Sequence, residues 1–288
     1  MANYRNVLIP LDLALGSGFL SPAVRGILDF QEVEITLLHV VEAQPWMGRN
    51  AQTMRTMSEL ELFAHRQFRG ARINRRIEWG RPADCILRAI DTAGADIVLL
   101  SAGRANGSNQ AIGAVAAEVL AEAPCPVAIE WAVNAPVNRA RVHPVCCALV
   151  FDGNEEAVLG EAVWAASRMR APLKVLGALV PEGARSAILW DPDERVRASA
   201  ALQRKLEAFC GSRAPGAEVH VGVGMAAPVI SRALRFHGAG LLVTGGAADA
   251  PLAAESECPV LYIGDAKRRR AGNPAGSPRA EFRVRKTA

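Results

Sequence analysis

The sequence predicts an α/β protein built from two tandem, doubly wound, five-stranded parallel-sheet domains. Three observations carry this. Short apolar runs alternate with segments of helical periodicity along most of the 288 residues. Several of those runs are apolar at consecutive positions, as strands covered on both faces must be. The whole succession then begins again after residue 143.

In the first copy, Asn6–Leu11 reads as a buried strand ending in Pro10-Leu11-Asp12. Leu20–Phe30 has helical spacing, with Ser21 placed to cap it and Pro22 in its first turn. Glu34–Val41 (EITLLHVV) is a second strand; residues 43–57 are polar and mixed, and Glu59–Phe68 is helical. Arg72–Trp79 alternates charged and apolar residues, which suits a sheet edge. Gly80-Arg81-Pro82 turns into a helix over Ala83–Thr92. Ile97–Leu100 is a fourth strand, Ile112–Glu122 a helix with Ile112, Val115, Ala116 and Val119 on one face, and Val127–Ile129 a fifth strand.

The predicted domain limits are 1–132 for the first copy, 133–143 for a linker, 144–265 for the second copy and 266–288 for a basic, disordered tail. In the second copy VCCALVFD (145–152) matches Val7–Asp12, with an aspartate again at the strand end. Glu156–Met169, Leu173–Val180, Arg195–Cys210 and Glu218–Val221 continue the alternation. Gly222–Leu234 echoes Gly80–Ala89, Ala239–Val243 echoes Ala95–Leu99, and Cys258–Val260 echoes Cys125–Val127. Ala95 to Ala239 spans 144 residues, whereas Cys125 to Cys258 spans 133, so the second copy lacks 11 residues between its fourth and fifth strands. That deletion removes the counterpart of the glycine loop and helix start.

Composition sets limits on function. Half of the residues are hydrophobic and 22% charged, as in a globular chain with a core. No apolar run reaches membrane-span length and the N-terminus carries no secretory pattern, so the expectation is a cytoplasmic protein. Six cysteines without paired CxxC spacing form neither a disulfide framework nor a zinc site, and Cys146–Cys147 reads as buried packing. The net charge is +4, but residues 266–288 hold eight basic side chains against Glu281 alone, a net of +7 that leaves −3 for residues 1–265. Nucleic acid is therefore expected to meet only the tail, and non-specifically.

The stretch from Ala95 to Ile129 organises the chain chemically. Strand, glycine-rich loop (Ser101–Gln110, with Gly103 and Gly107), helix and strand follow one another. Such a layout presents free backbone N–H groups to an anion at the helix N-terminus. The same layout serves an ordinary βαβ crossover, so it assigns no ligand by itself.

Taken together, VLIPLD (7–12), LLHV (37–40), GRPADCILRA (80–89), ADIVLLSAGR (95–104) and GAVAAEVLAEAPCPV (113–127) resemble the universal stress protein A family, in its tandem form. The resemblance covers Tyr4 to Asp265, once per half. It implies the adenine nucleotide alpha hydrolase-like sheet of order 3-2-1-4-5 in each half. It also implies pairing through fifth strands, here Val127–Glu130 with Val260–Ile263 as an internal pseudo-dimer, so that any homodimer would use other surfaces. Partners implied are proteins, otherwise unidentified.

Some members of that family bind ATP through glycine, two residues, glycine, nine residues, glycine, then serine or threonine. Carried over residue by residue, Gly103 and Gly113 fit, while Leu100 stands at the first glycine and Ala114 at the hydroxyl. Val115 follows. Asp12, after Pro10 and Leu11, matches the adenine- and ribose-side aspartate, and Val40 the backbone contact to adenine. The resemblance thus implies weak binding of ATP or another adenine nucleotide in the first half; the deletion argues against a site in the second, and the residue spacing indicates no metal. Leu100 is expected to crowd the nucleotide, and Ala114 lacks the hydroxyl that would donate to a phosphate.

Other chemistry is sparse. Gly16-Ser17-Gly18-Phe19-Leu20-Ser21 approximates GxGxxG, with Glu42 near the place of a ribose-binding acid, so a dinucleotide-binding enzyme ranks as an alternative below an interaction scaffold that binds no nucleotide. His39 reads as a core histidine; His65, His143, His220 and His237 have no acid or thiol at ligand spacing. Arg66, Arg69, Arg72, Arg75 and Arg76 form a basic run that suits a solvated face. No nucleophile elbow or phosphate-binding lysine loop occurs, so a catalytic role is not expected.

Overall fold

The computed structural model describes residues 4–13, 20–42, 49–102, 113–131, 142–151, 153–179, 191–246, 252, 256 and 258–264. Its first half contains β1 (Asn6–Pro10), α1 (Pro22–Ile27), β2 (Glu34–Val41), α2 (Arg49–Gln67), β3 (Arg72–Trp79), α3 (Pro82–Ala93), β4 (Ile97–Ala102), α4 (Ala114–Glu122) and β5 (Val127–Trp131). The second half contains β6 (Val145–Ala148), α5 (Glu155–Met169), β7 (Leu173–Leu179), α6 (Pro192–Cys210), β8 (Glu218–Val223), α7 (Ala226–His237), β9 (Leu241–Gly245) and β10 (Val260–Ile263).

All ten strands form one sheet, ordered β3-β2-β1-β4-β5-β10-β9-β6-β7-β8. Each half alone has the order 3-2-1-4-5, and every pairing within a half is parallel. The halves meet at β5 and β10, which run antiparallel with Leu261 opposite Ala128 and Tyr262 opposite Val127. A parallel strand followed by a crossover helix leaves its sheet edge unpaired, and this join removes one such edge from each half.

The strands at the centre are buried on both faces, and alternate residues serve different cores. In β4, Ile97 and Leu99 pack toward the layer of α1, α2, α5 and α6, while Val98 and Leu100 pack toward α3, α4 and α7. Cys146 and Cys147 split between the two cores in the same way, and burial pushes the Cys146 thiol up to about 12, so it stays protonated.

Several element limits differ from those read in the sequence. The first helix covers Pro22–Ile27 rather than 20–30: Ser21 caps it, and Leu28 is already extended at φ −111°. The second helix is longer, Arg49–Gln67, because the polar segment before Glu59 carries helix formers and an exposed Arg55–Glu59 pair at 3.0 Å. Strand β6 stops at Ala148, four residues before Asp152, which lies outside the described residues. In α4, Ala116, Val119 and Leu120 are buried, but Val115 is 37% exposed and belongs to the outer face. Ile112 lies outside the described residues.

Strand β3 lies at one edge, and its arginines are paired with acids: Arg75 reaches the exposed Glu61 at 3.1 Å and Arg76 the part-buried Glu78 at 2.8 Å. Among the described residues no helix is long and apolar enough to cross a membrane.

Candidate functional site

In the first half the chain leaves β1 toward β2 and leaves β4 toward β5, on opposite sides of the β1–β4 pair. The crossover helices α1 and α4 lie on opposite faces of the sheet. A crevice at the carboxyl ends of these two strands is where doubly wound sheets hold ligands.

Pro10 ends β1 half-buried, and the Leu11 N–H donates to the Leu38 carbonyl at 2.8 Å, which pins the chain as it leaves the sheet. Asp12 follows and is exposed. His39 is half-buried, its Nδ1 donating to the Leu11 carbonyl at 2.9 Å, which ties the exit of β1 to β2. Val40 lies half-buried near the end of β2. On the other side of the crevice, Gly113 is the N-cap of α4 and supplies no side-chain bond; its carbonyl accepts from the Ala117 N–H at 3.0 Å. Ala114 and Val115 form the first turn, where backbone N–H groups have no intrahelical acceptor. The structure therefore places Asp12, Val40, Gly113, Ala114 and Val115 at one end of the sheet. Gly103, with residues 104–112, and the Gly16–Gly18 turn lie outside the described residues.

Leu100 takes a different position from the one expected. Its side chain is 5% exposed and packed among Val98, Ala116, Val119 and Ile129 in the core beneath α3 and α4. It does not crowd a ligand from within the crevice; it is a core residue of β4 whose partner across the ladder is Ile129.

Two features escaped sequence reasoning. Glu130, on β5, is 4% exposed, accepts from the Ser21 N–H through Oε1, and its Oε2 has no hydrogen-bond partner. Burial raises its pKa, opposed by the Ser21 bonds and the Arg25 charge. The signal available was a single acid inside the apolar run VAIEW. Arg81, at the N-cap of α3, reaches Glu118 on α4 at 2.6 Å and ties these two helices at the same end of the sheet.

The second half ties its first helix to its fifth strand, as Ser21 and Glu130 do in the first half. Asn154, the N-cap of α5, donates through Nδ2 to the carbonyls of Ile263 at 2.9 Å and Gly264 at 3.2 Å. A Cβ on Gly245 would collide with the Ile263 carbonyl and lie 3.0 Å from Asn154 Nδ2. Strand ends and helix start are in contact there. Among the described residues, no group of three or more His, Cys, Asp or Glu is arranged to hold a metal.

The adenine-nucleotide chemistry can be tested against these groups. An exposed carboxylate suits ribose hydroxyls, and the open first turn of α4 suits phosphate oxygens. The hydroxyl that would close on the phosphate is missing at Ala114. The fit is therefore partial.

Residues 3–129 match the family model of the universal stress protein family. A universal stress protein from Archaeoglobus fulgidus DSM 4304 is similar in structure over 90% of this chain and 98% of its own, with a TM-score of 0.65 and 17% identity. A protein of unknown function from Pseudomonas aeruginosa PAO1 is similar over 93% of this chain and 95% of its own, with a TM-score of 0.62 and 16% identity. At such identities these likenesses establish the fold, across both halves. No curated protein matches the chain.

Proposed function

We propose that this chain, whose residues 3–129 belong to the universal stress protein family, is a non-catalytic stress-response binding protein with a weakened adenine-nucleotide site in its first half and none in its second. It acts through contacts with other proteins. The observation that carries the reading is the start of α4: an uncapped turn at Gly113 facing the strand ends, followed by Ala114 where a hydroxyl would be needed. Asp12 across the crevice supports it, as does the 11-residue deletion between the fourth and fifth strands of the other half.

A missing bond to a charged phosphate is worth about 1.5–3 kcal/mol, which moves a micromolar site roughly one to two powers of ten toward millimolar. Calorimetric titration of the full chain with ATP is expected to give a single weak site, weakened further by Asp12→Ala. Tight binding, or binding indifferent to Asp12→Ala, would overturn the reading. Mass spectrometry of ligands released from the native protein separates the alternatives: a bound dinucleotide would favour an enzyme using Gly16 and Gly18, and no ATP binding at millimolar concentration a scaffold free of nucleotide.

A further inference from the structure

The two halves differ most informatively at the groove between the third strand and the helix that follows it. Gly80 and Gly224 both have positive φ, 142° and 134°, and each immediately precedes the N-cap of its helix, α3 or α7. This fixes the correspondence: Arg76 with His220, Glu78 with Gly222, Arg88 with Arg232, and Thr92 with Phe236. In the first half the groove is filled by its own charges. Glu78 accepts from Arg76 at 2.8 Å and from Arg88 at 3.3 Å, and Arg76 also donates to Thr92 at 2.8 Å.

In the second half the acid is gone. Gly222 stands in its place, and a Cβ there would collide with Val229 of α7. A cavity of about 300 Å³ opens beside it, floored by Leu176, Val229 and Ala233 and rimmed by Arg232, His220 and His237. The counterpart arginine is kept: among the described residues Arg232 is exposed with no carboxylate partner. The two imidazoles stack with centroids 4.3 Å apart, and the buried Nε2 of His220 lies 3.5 Å from Glu218, a carboxylate that Lys174 also holds. At the rim Phe236 is 85% exposed, its ring 5.0 Å from that of His237.

We propose that this cavity binds a small amphipathic monocarboxylate, whose carboxylate sits on Arg232 beside the stacked His220 and His237 rings, and whose apolar body lies on Leu176, Ala233 and Phe236. Charge complementarity favours an anion: among the described residues the cavity is lined by Arg232, His220 and His237 and by no acid, and Glu218 beside it is paired with Lys174 and His220. The apolar floor excludes a bare inorganic anion as the preferred occupant. The site lies in the opposite half from the nucleotide crevice and stands independently of it.

Protonation links to occupancy. His237 is held below its ordinary pKa by burial, by His220 and Glu218's partner Lys174, with Glu218 opposing. A bound carboxylate opposes the burial and the neighbouring positive charges, so binding takes up a proton at His237 and strengthens as pH falls through the ordinary imidazole range. The test is a titration of the full chain with octanoate, followed by the imidazole resonances of His220 and His237. Saturable binding is expected, severalfold tighter at pH 6 than at pH 8, weakened about tenfold by Arg232→Ala and further by Arg232→Glu. Acetate and 1-octanol, which each lack half of the ligand, are expected to bind at least tenfold more weakly. Both Arg232 and Phe236 are exposed, so Arg232→Glu and Phe236→Ser leave the fold intact. No saturable shift at either histidine, equal affinity in Arg232→Glu, or octanol binding as tightly as octanoate would overturn the proposal.

Discussion

Ser21 and Glu130 are 109 residues apart and touch: the Ser21 N–H donates to the Glu130 carboxylate at the start of α1. The same separation recurs in the other half, where Asn154, also a helix N-cap, donates to Ile263 on the last strand. Each half thus ties its first helix to its fifth strand. The first half uses a buried acid for this, and that choice has a pH signature. Glu130 holds its proton in the folded chain at pH values where the unfolded chain has lost it. Stability therefore falls as pH rises from the ordinary carboxylate range through the raised folded pKa, and levels off above it. Glu130→Gln carries no such charge. It is expected to be more stable than the unmodified chain at pH 8 and to lose that advantage in the ordinary carboxylate range. Chemical denaturation at several pH values measures this; an advantage independent of pH would contradict the assignment.

Gly245 and Gly160 give opposite expectations for the same substitution. Gly245 sits on β9 against the Ile263 carbonyl, Val158 and Asn154, so Gly245→Ala requires the backbone at β10 to move. The expected cost is about 1–3 kcal/mol, the usual range for overpacking. Gly160 is an exposed residue inside α5 with nothing near its Cβ position, and Gly160→Ala is expected to stabilise by roughly 0.5–1 kcal/mol. Thermal unfolding of the two variants checks the pair.

Much of this architecture was legible because its cause is periodic. Val7–Ile9 and Ile97–Leu100 are apolar at every position, and the copies repeat in order, so the parallel layout and the doubled sheet followed from the residues and the resemblance together. Features set by tertiary distance were not. Nothing near Leu100 in the sequence says that its side chain faces α4 rather than the crevice. Val115 has the spacing of a core residue, yet the helix starts late and is rotated so that it faces outward. Glu130 needed knowledge of which helix start would lie above β5. The groove at Gly222 became visible only when two strands and a helix from each half could be compared side by side.

The core position of Leu100 changes how the nucleotide crevice should be repaired. Leu100→Gly removes a buried side chain between β5 and α4, at a cost of about 2–5 kcal/mol or more. It is expected to lower stability without tightening nucleotide binding. Ala114→Ser is different: the residue is exposed, in the first turn of α4, and the change adds the missing hydroxyl. It should tighten ATP roughly tenfold with stability nearly unchanged. Calorimetry on the two single variants decides; a gain from Leu100→Gly rather than Ala114→Ser would reverse these roles.

The join between the halves makes the last prediction. Leu261 on β10 is fully buried, faces Ala128 on β5 across the ladder, and packs in the same core as that residue. Next to it the Tyr262 hydroxyl donates to the Gly246 carbonyl at 2.7 Å, which holds β10 against β9. If β5 and β10 are one continuous sheet energetically as well as geometrically, a cavity at Leu261 weakens both halves together. Leu261→Ala is expected to cost about 2–5 kcal/mol. Amide hydrogen exchange under native conditions should show protection falling by the same amount in β2 of the first half and β7 of the second. Loss of protection confined to β7 and β9 would mean that the halves unfold as separate units, and that the β5–β10 seam adds contact without cooperativity.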